Sequence, residues 1–227
     1  MKMSRMLIVV CVASSVVSTC SANLIQNGSF EDPVVPINWH TNFIGGSTSI
    51  TGWTVVGVDS SVSNGGFSQN GILFQAQDGV QWADMAGISS NSNASGLTQD
   101  VATTIGNTYE LTFHVGSATD GGIFFFPATV DLRIDGGPRT SYFNPAAPTN
   151  MLDWKQFSVR FLAQNSLTNL TFFNGSAANN YISPLDNVSL VDLGPAAVPE
   201  PGTLTLAAFG AVGCLAGAIR RRRRHFN

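Results

Sequence analysis

Through the middle of the chain hydrophobic and polar residues alternate with a period of two. The cleanest stretch is Thr108 to Val115, which puts Tyr109, Leu111, Phe113 and Val115 on one face and Thr108, Glu110, Thr112 and His114 on the other. Successive side chains of a strand point to opposite faces, so this pattern predicts a strand with one face buried. Val130, Leu132 and Ile134 repeat it, as do Phe157, Val159 and Phe161. Shorter strands are predicted at Trp53 to Val58, Ile72 to Phe74, Gln81 to Met85, Leu97 to Val101, Leu170 to Phe173 and Val188 to Val191. The Asn- and Gly-rich stretches Ser60 to Gly71 and Ser89 to Gly96 read as loops. Between Asn23 and Leu193 no segment has a helical period. Eight or more short strands that each bury one face call for two antiparallel sheets packed about 10 Å apart, and a jelly-roll sandwich is the economical arrangement.

At both ends the pattern changes to continuous apolar runs. Lys2 and Arg5 precede the run Met6 to Val17, and Cys20-Ser21-Ala22 offers the small residues of a signal-peptidase site, which predicts a signal peptide over residues 1–22. Val17-Ser18-Thr19-Cys20 is a distorted lipobox and leaves lipid attachment at Cys20 as the rival. At the other end, Pro199-Glu200-Pro201 leads into the apolar run Thr203 to Ile219, and Arg220, Arg221, Arg222, Arg223 and Arg224 follow. As a helix that run would extend about 25 Å, at the short end of what spans a bilayer's hydrocarbon core, and the arginines would hold its far end in the cytoplasm. Residues 199–224 resemble the PEP-CTERM sorting signal of bacterial surface proteins. The resemblance implies export, a transient membrane anchor and an exosortase as partner. An ordinary single-span anchor without processing is the alternative.

Charge is segregated. The leader and tail hold seven of the eleven cations, so between Asn23 and Ala197 only Arg133, Arg139, Lys155 and Arg160 face thirteen carboxylates, a net of about −9. Binding to phosphate backbones depends on clustered Lys and Arg, which excludes nucleic acid as a partner. Cys11, Cys20 and Cys214 all lie in the terminal runs, so the domain has no disulfide, thiol nucleophile or thiolate metal site. The three histidines, His40, His114 and His225, are too scattered for a metal cluster or a Ser-His-Asp triad. Carboxylate pairs for glycoside hydrolysis are the one catalytic material present.

A second resemblance covers nearly all of Asn23 to Val191. Asn23-Leu24-Ile25-Gln26-Asn27-Gly28-Ser29-Phe30-Glu31, Ile50-Thr51-Gly52-Trp53-Thr54-Val55, Gly96-Leu97-Thr98-Gln99, Thr108 to Phe113 and Pro184-Leu185-Asp186-Asn187-Val188-Ser189-Leu190 follow one another as they do in a domain shared by plant cell-wall proteins of unknown function and bacterial choice-of-anchor C proteins. That family is similar to galactose-binding-like carbohydrate-binding modules. Gln81-Trp82-Ala83-Asp84-Met85 departs from its usual Ser-Val-Asp-Leu, and Ile123 to Phe126 is an apolar insertion. The resemblance implies that Glu31 and Asp186 help hold a structural calcium ion with backbone carbonyls, as a hard cation requires. The other reading has Glu31 capping a turn and Asp186 bonding backbone amides.

Sugars are normally held by rings stacked on pyranose faces, with polar side chains on the hydroxyls. Trp39, Trp82, Phe124 and Phe126 are the loop or strand-edge rings for that task, while Trp53 and Trp154 are assigned to the core. The expected architecture is a signal peptide (1–22), a galactose-binding-like β-sandwich (23–193), a hinge (194–198) and a sorting segment (199–224). The expected function is non-enzymatic binding of extracellular polysaccharide at the cell surface or in the matrix. The alternatives are a structural matrix protein without a ligand and a glycan hydrolase. The tripartite tail also makes a prediction of its own: a tag placed after Asn227 is lost from the surface-exposed molecule, and a tag retained on the full-length surface form contradicts the sorting reading.

Overall fold

The computed structural model describes residues 22–88 and 91–196. The expected signal peptide (apart from Ala22), the Pro-Glu-Pro motif, the tail helix and its arginines lie outside the described residues. The chain divides into two compact units, Met1–Leu193 and Gly194–Asn227, and the fold below belongs to the first.

Thirteen strands are described: β1 His40–Ile44, β2 Thr54–Val56, β3 Asp59–Asn64, β4 Ser68–Gln69, β5 Ile72–Leu73, β6 Gln81–Asp84, β7 Gly96–Ala102, β8 Asn107–Ser117, β9 Ala128–Ile134, β10 Thr140–Asn144, β11 Asp153–Leu162, β12 Leu167–Asn174 and β13 Pro184–Pro195. They form a six-stranded sheet in the order β1-β3-β6-β13-β8-β11, a five-stranded sheet in the order β10-β9-β12-β7-β2, and the small β4-β5 hairpin. The chain is thus an all-β sandwich of two antiparallel sheets.

The alternation in β8 does what a period of two dictates. Tyr109, Leu111, Phe113 and Val115 are fully buried between the sheets, and β11 pairs against them in register, Phe157 opposite Phe113, Val159 opposite Leu111 and Phe161 opposite Tyr109. From the five-stranded sheet Leu97, Val130, Leu132, Leu170 and Phe172 complete the same core. Phe113 and Phe172 meet edge to face across it, ring centroids 5.2 Å apart. Trp53 joins this core as expected, its indole N–H donating to the Asn27 carbonyl at 3.1 Å.

The stretch expected as a loop from Ser60 to Gly71 begins instead as β3, which lies inside the six-stranded sheet, paired with β1 on one side and β6 on the other. Val62 is its single large apolar residue and points into the main core, while Ser61 and Ser63 face the opposite side. Serine and asparagine have weak strand propensity, but pairing on both sides and burial of both faces outweigh it. The edge strands β1 and β10 also escaped the pattern, because one half-buried edge face gives few apolar positions.

A second apolar cluster covers the outer side of this sheet. Ile72, Phe74, Trp82, Phe124, Leu152 and Ile182 are buried there, with Phe67 and Trp154 partly buried against them. Trp82 alternates with Ala83 and Met85, so β6 contributes to both clusters, and Trp154 serves this one rather than the main core.

Candidate functional site

The segment from residue 74 to residue 81 returns from the hairpin across the outer face of the sheet, and its backbone amides must find partners there. Two carboxylates supply them. Asp186 Oδ2 accepts from Gln77 N and Asp78 N at 2.7 and 3.0 Å, and its Oδ1 from Asn187 N at 2.7 Å. Glu31 Oε1 accepts from Val80 N and Gln81 N, both at 2.8 Å. Between the two clamps Gly79 has φ +67°, and a side chain on it would overlap the Glu31 carboxylate. Trp82 and Trp154 add indole N–H bonds to the carbonyls of Phe74 and Gln75. The four side chains hold down one loop, and that loop carries Phe74 into the second cluster.

The family resemblance assigns Glu31 and Asp186 to a calcium ion, and the contacts the structure shows for the two carboxylates are backbone amides. Amide hydrogens are aimed at the carboxylate oxygens, where a hard cation would need further oxygen ligands. The arrangement fits the other reading, in which both carboxylates bond backbone amides.

Above β3 and β6 the covering loops leave a cleft of about 380 Å³. Its floor is made by alternate residues of neighbouring strands: His40 of β1 pairs with Ser63 of β3, Ser63 with Trp82 of β6, and Ser61 with Asp84. Its walls are Phe67, Gln69 and Phe74 on one side and Ile88, Ile123, Phe124, Tyr181 and Ile182 on the other. The apolar insertion forms part of the second wall. Asp120 Oδ1 accepts the amides of Gly122, Ile123 and Phe124, which folds the insertion into a tight turn, and Tyr181 N donates to the Ile123 carbonyl.

Of the four rings expected at a sugar site, Trp82 and Phe124 line the cleft but are buried, 2% and 6% exposed, so they build its floor and wall rather than offer a free face. Trp39 is 56% exposed and stacks on His40 of the cleft at 5.0 Å with ring planes 11° apart. Phe126 is exposed and is not among the residues lining the cleft. Tyr181, 49% exposed, and the half-buried Phe67 are the rings with free surface inside it. The sequence reading missed both, together with Asp84. Alternation offered a signal for Asp84: an aspartate and a tryptophan on the outer face of a predicted strand mark a face that is covered.

Asp84 is the one carboxylate among the residues that line the cleft. Its Oδ1 accepts from Ser183 N at 2.8 Å and Ala86 N at 3.0 Å. Burial pushes this carboxyl up to about 7, against those two amide bonds, and the charge of Asp59 adds to the rise. Burial raises Asp186 to about 7 as well, against the amide bonds of Asp78, Asn187 and Gln77. Burial also holds His40 below its ordinary range, so the cleft presents a neutral imidazole at pH 7.

Two predictions follow from these carboxylates. Asp186→Asn puts an amide where two N–H donors converge and should cost about 1–3 kcal/mol of stability. The loss should be equal in calcium and in chelator, as read by urea unfolding; a wild-type melting temperature that falls on chelation, with a response abolished in Asp186→Asn, would restore the calcium site. The second concerns pH. Between about pH 4 and 7 the folded chain holds protons on Asp84 and Asp186 that the unfolded chain has released, so stability is lost as pH rises through that window. The melting temperature should be lower at pH 8 than at pH 5, and Asp84→Asn should narrow the gap; equal melting temperatures at the two pH values contradict the assignment.

Across 185 residues the chain is 28% identical to halomucin of Haloquadratum walsbyi, covering 78% of the chain but only 2% of that protein's length. Its fold is similar to that of the Stig cyclase FisC from Fischerella sp. TAU, with TM-score 0.53, 17% identity, and coverage of 77% of this chain and 98% of that one. This likeness concerns the fold alone. A weaker similarity is found to the CBM22-1 xylan-binding domain of Paenibacillus barcinonensis Xyn10C, with TM-score 0.41, 16% identity, and coverage of 71% and 97%. Residues 197–224 match the PEP-CTERM protein-sorting motif, which marks an exported protein for an exosortase at the cell surface. Residues 23–191 match the protein family of unknown function DUF642, and the chain belongs to that family.

Proposed function

We propose that this protein is a non-enzymatic, surface-sorted binding protein whose β-sandwich, of the galactose-binding-like jelly-roll kind, takes extracellular polysaccharide in the cleft above β3 and β6. The cleft itself carries the reading. Its volume suits one or two sugar rings, and it combines the free surfaces of Tyr181 and Phe67 with the hydroxyls of Ser61 and Ser63 on its floor and the amide of Gln69 in its wall. Aromatic faces match the apolar faces of pyranoses, and hydroxyl and amide groups match their rims. The exported location supports the same reading, since polysaccharide is the abundant polymer outside a cell. In this reading Glu31 and Asp186 serve the cleft by holding its loop through amide bonds.

Hydrolysis is disfavoured by the acid count. Glycosidases use two carboxyl groups on either side of the scissile bond, and the cleft is lined by one. A structural matrix protein without a ligand is the remaining alternative, and the covered, shaped outer face argues against it. A glycan array probed with the full-length protein in detergent should give hits, and Tyr181→Ala and Phe67→Ala should each weaken the best of them roughly three- to tenfold. No binding to any glycan, or binding untouched by both changes, contradicts the proposal.

A further inference from the structure

The polar contents of the cleft are lopsided. Asp84 Oδ1 is fixed by two amide donors, while Oδ2 accepts no hydrogen bond among the described residues. Asp84 lines the cleft, and Oδ2 is the oxygen of its carboxyl left for a ligand's donor. Nothing cationic stands in the cleft to meet it. The four cations described are Arg133, Arg139, Lys155 and Arg160, none of which lines it. Arg160 is paired with Glu110 at 3.0 Å, and Arg139 lies over Phe173, its Cζ 3.5 Å from the ring centroid. His40 is held neutral by burial. The surrounding field adds to the bias, since the domain carries about −9, which concentrates cations at a concave site. Rings such as Phe67 and Tyr181 also accept a cation against their faces.

We infer that the cleft selects glycans bearing a free, protonated amino group, with Asp84 as the counter-ion and Tyr181 and Phe67 against the sugar ring. The inference rests on the saccharide reading of the cleft and names the sugar class for it. Ser61, opposite Asp84 in the strand register, is small enough to leave the space beside the carboxyl open.

Asn at position 84 keeps a carbonyl oxygen for the amides of Ala86 and Ser183 while removing the charge, so Asp84→Asn separates recognition from folding. Binding of the full-length protein in detergent is measured by calorimetry at pH 7, where Asp84 is about half ionised without ligand and a bound cation draws it further into the charged form, to two probes that differ only at nitrogen, the β-1,4-linked dimer of glucosamine and its N-acetylated counterpart. The amine form should bind at least tenfold more tightly, and Asp84→Asn should bring it down to the level of the acetylated form. Tyr181→Ala should weaken both. Equal binding of the two probes by the wild type, or a preference that survives Asp84→Asn, overturns the inference and leaves the saccharide reading standing. If neither probe nor any other glycan binds, both fall. A far-ultraviolet circular dichroism spectrum and a cooperative thermal transition like those of the wild type report that Asp84→Asn is folded.

Discussion

The covered outer face of the six-stranded sheet depends on satisfying the amides of one loop. A segment drawn over an apolar surface cannot leave its N–H groups without partners, and residues 77, 78, 80 and 81 have none from a neighbouring strand. Asp186 and Glu31 reach them from opposite ends of the domain sequence, which ties the start of β13 and the N-terminal segment to the same few residues. The two ends also meet directly, as Leu24 N donates to the Leu190 carbonyl and Val188 N to the Gly28 carbonyl. With the loop in place, Phe74 and Trp82 pack at 6.1 Å, Phe124 closes on Phe74 at 5.0 Å, and the cleft has walls. The motif pair that resembles a calcium site thus clamps the loop by hydrogen bonds.

The main core was legible in the sequence because one-sided burial leaves a period of two, as in β8 and β11. The second cluster was not, because strands buried on both faces lose that signature. β3 shows this most clearly: a run of serines around Val62 reads as loop, yet lies in the interior of a sheet, where small side chains make room for a cleft above them. Trp82 and Asp84 were visible as residues but not as cleft-forming ones, since their significance lies in the loops that cover them. Tyr181 comes from an irregular segment whose position no periodicity fixes. Glu31 and Asp186 came as a pair from the family resemblance, while the amides they bond belong to an intervening loop whose path no periodicity fixes.

Electrostatics distinguishes the cleft from the patch around Phe173. On the five-stranded sheet, Arg133 and Arg139 lie over Phe173, with Cζ atoms 5.0 and 3.5 Å from the ring centroid. On the six-stranded sheet, the cleft holds Asp84 with Asp59 close enough to raise it, and no cation. An apolar hollow with one under-bonded carboxyl is poorly suited to phosphate or sulfate and well suited to a neutral or cationic ring. Export by way of the sorting motif puts that hollow where polysaccharides are found.

The central claim is that ligand enters the cleft above β3 and β6. Amide hydrogen exchange of the full-length protein, with and without a bound oligosaccharide, tests it most directly. The account predicts ligand-dependent protection confined to Ser61 to Ser63, Asp84 to Ile88, Ile123 to Phe124 and Tyr181 to Ile182. Protection that appears instead on the face carrying Arg133, Arg139 and Phe173, with the cleft unchanged, would contradict it.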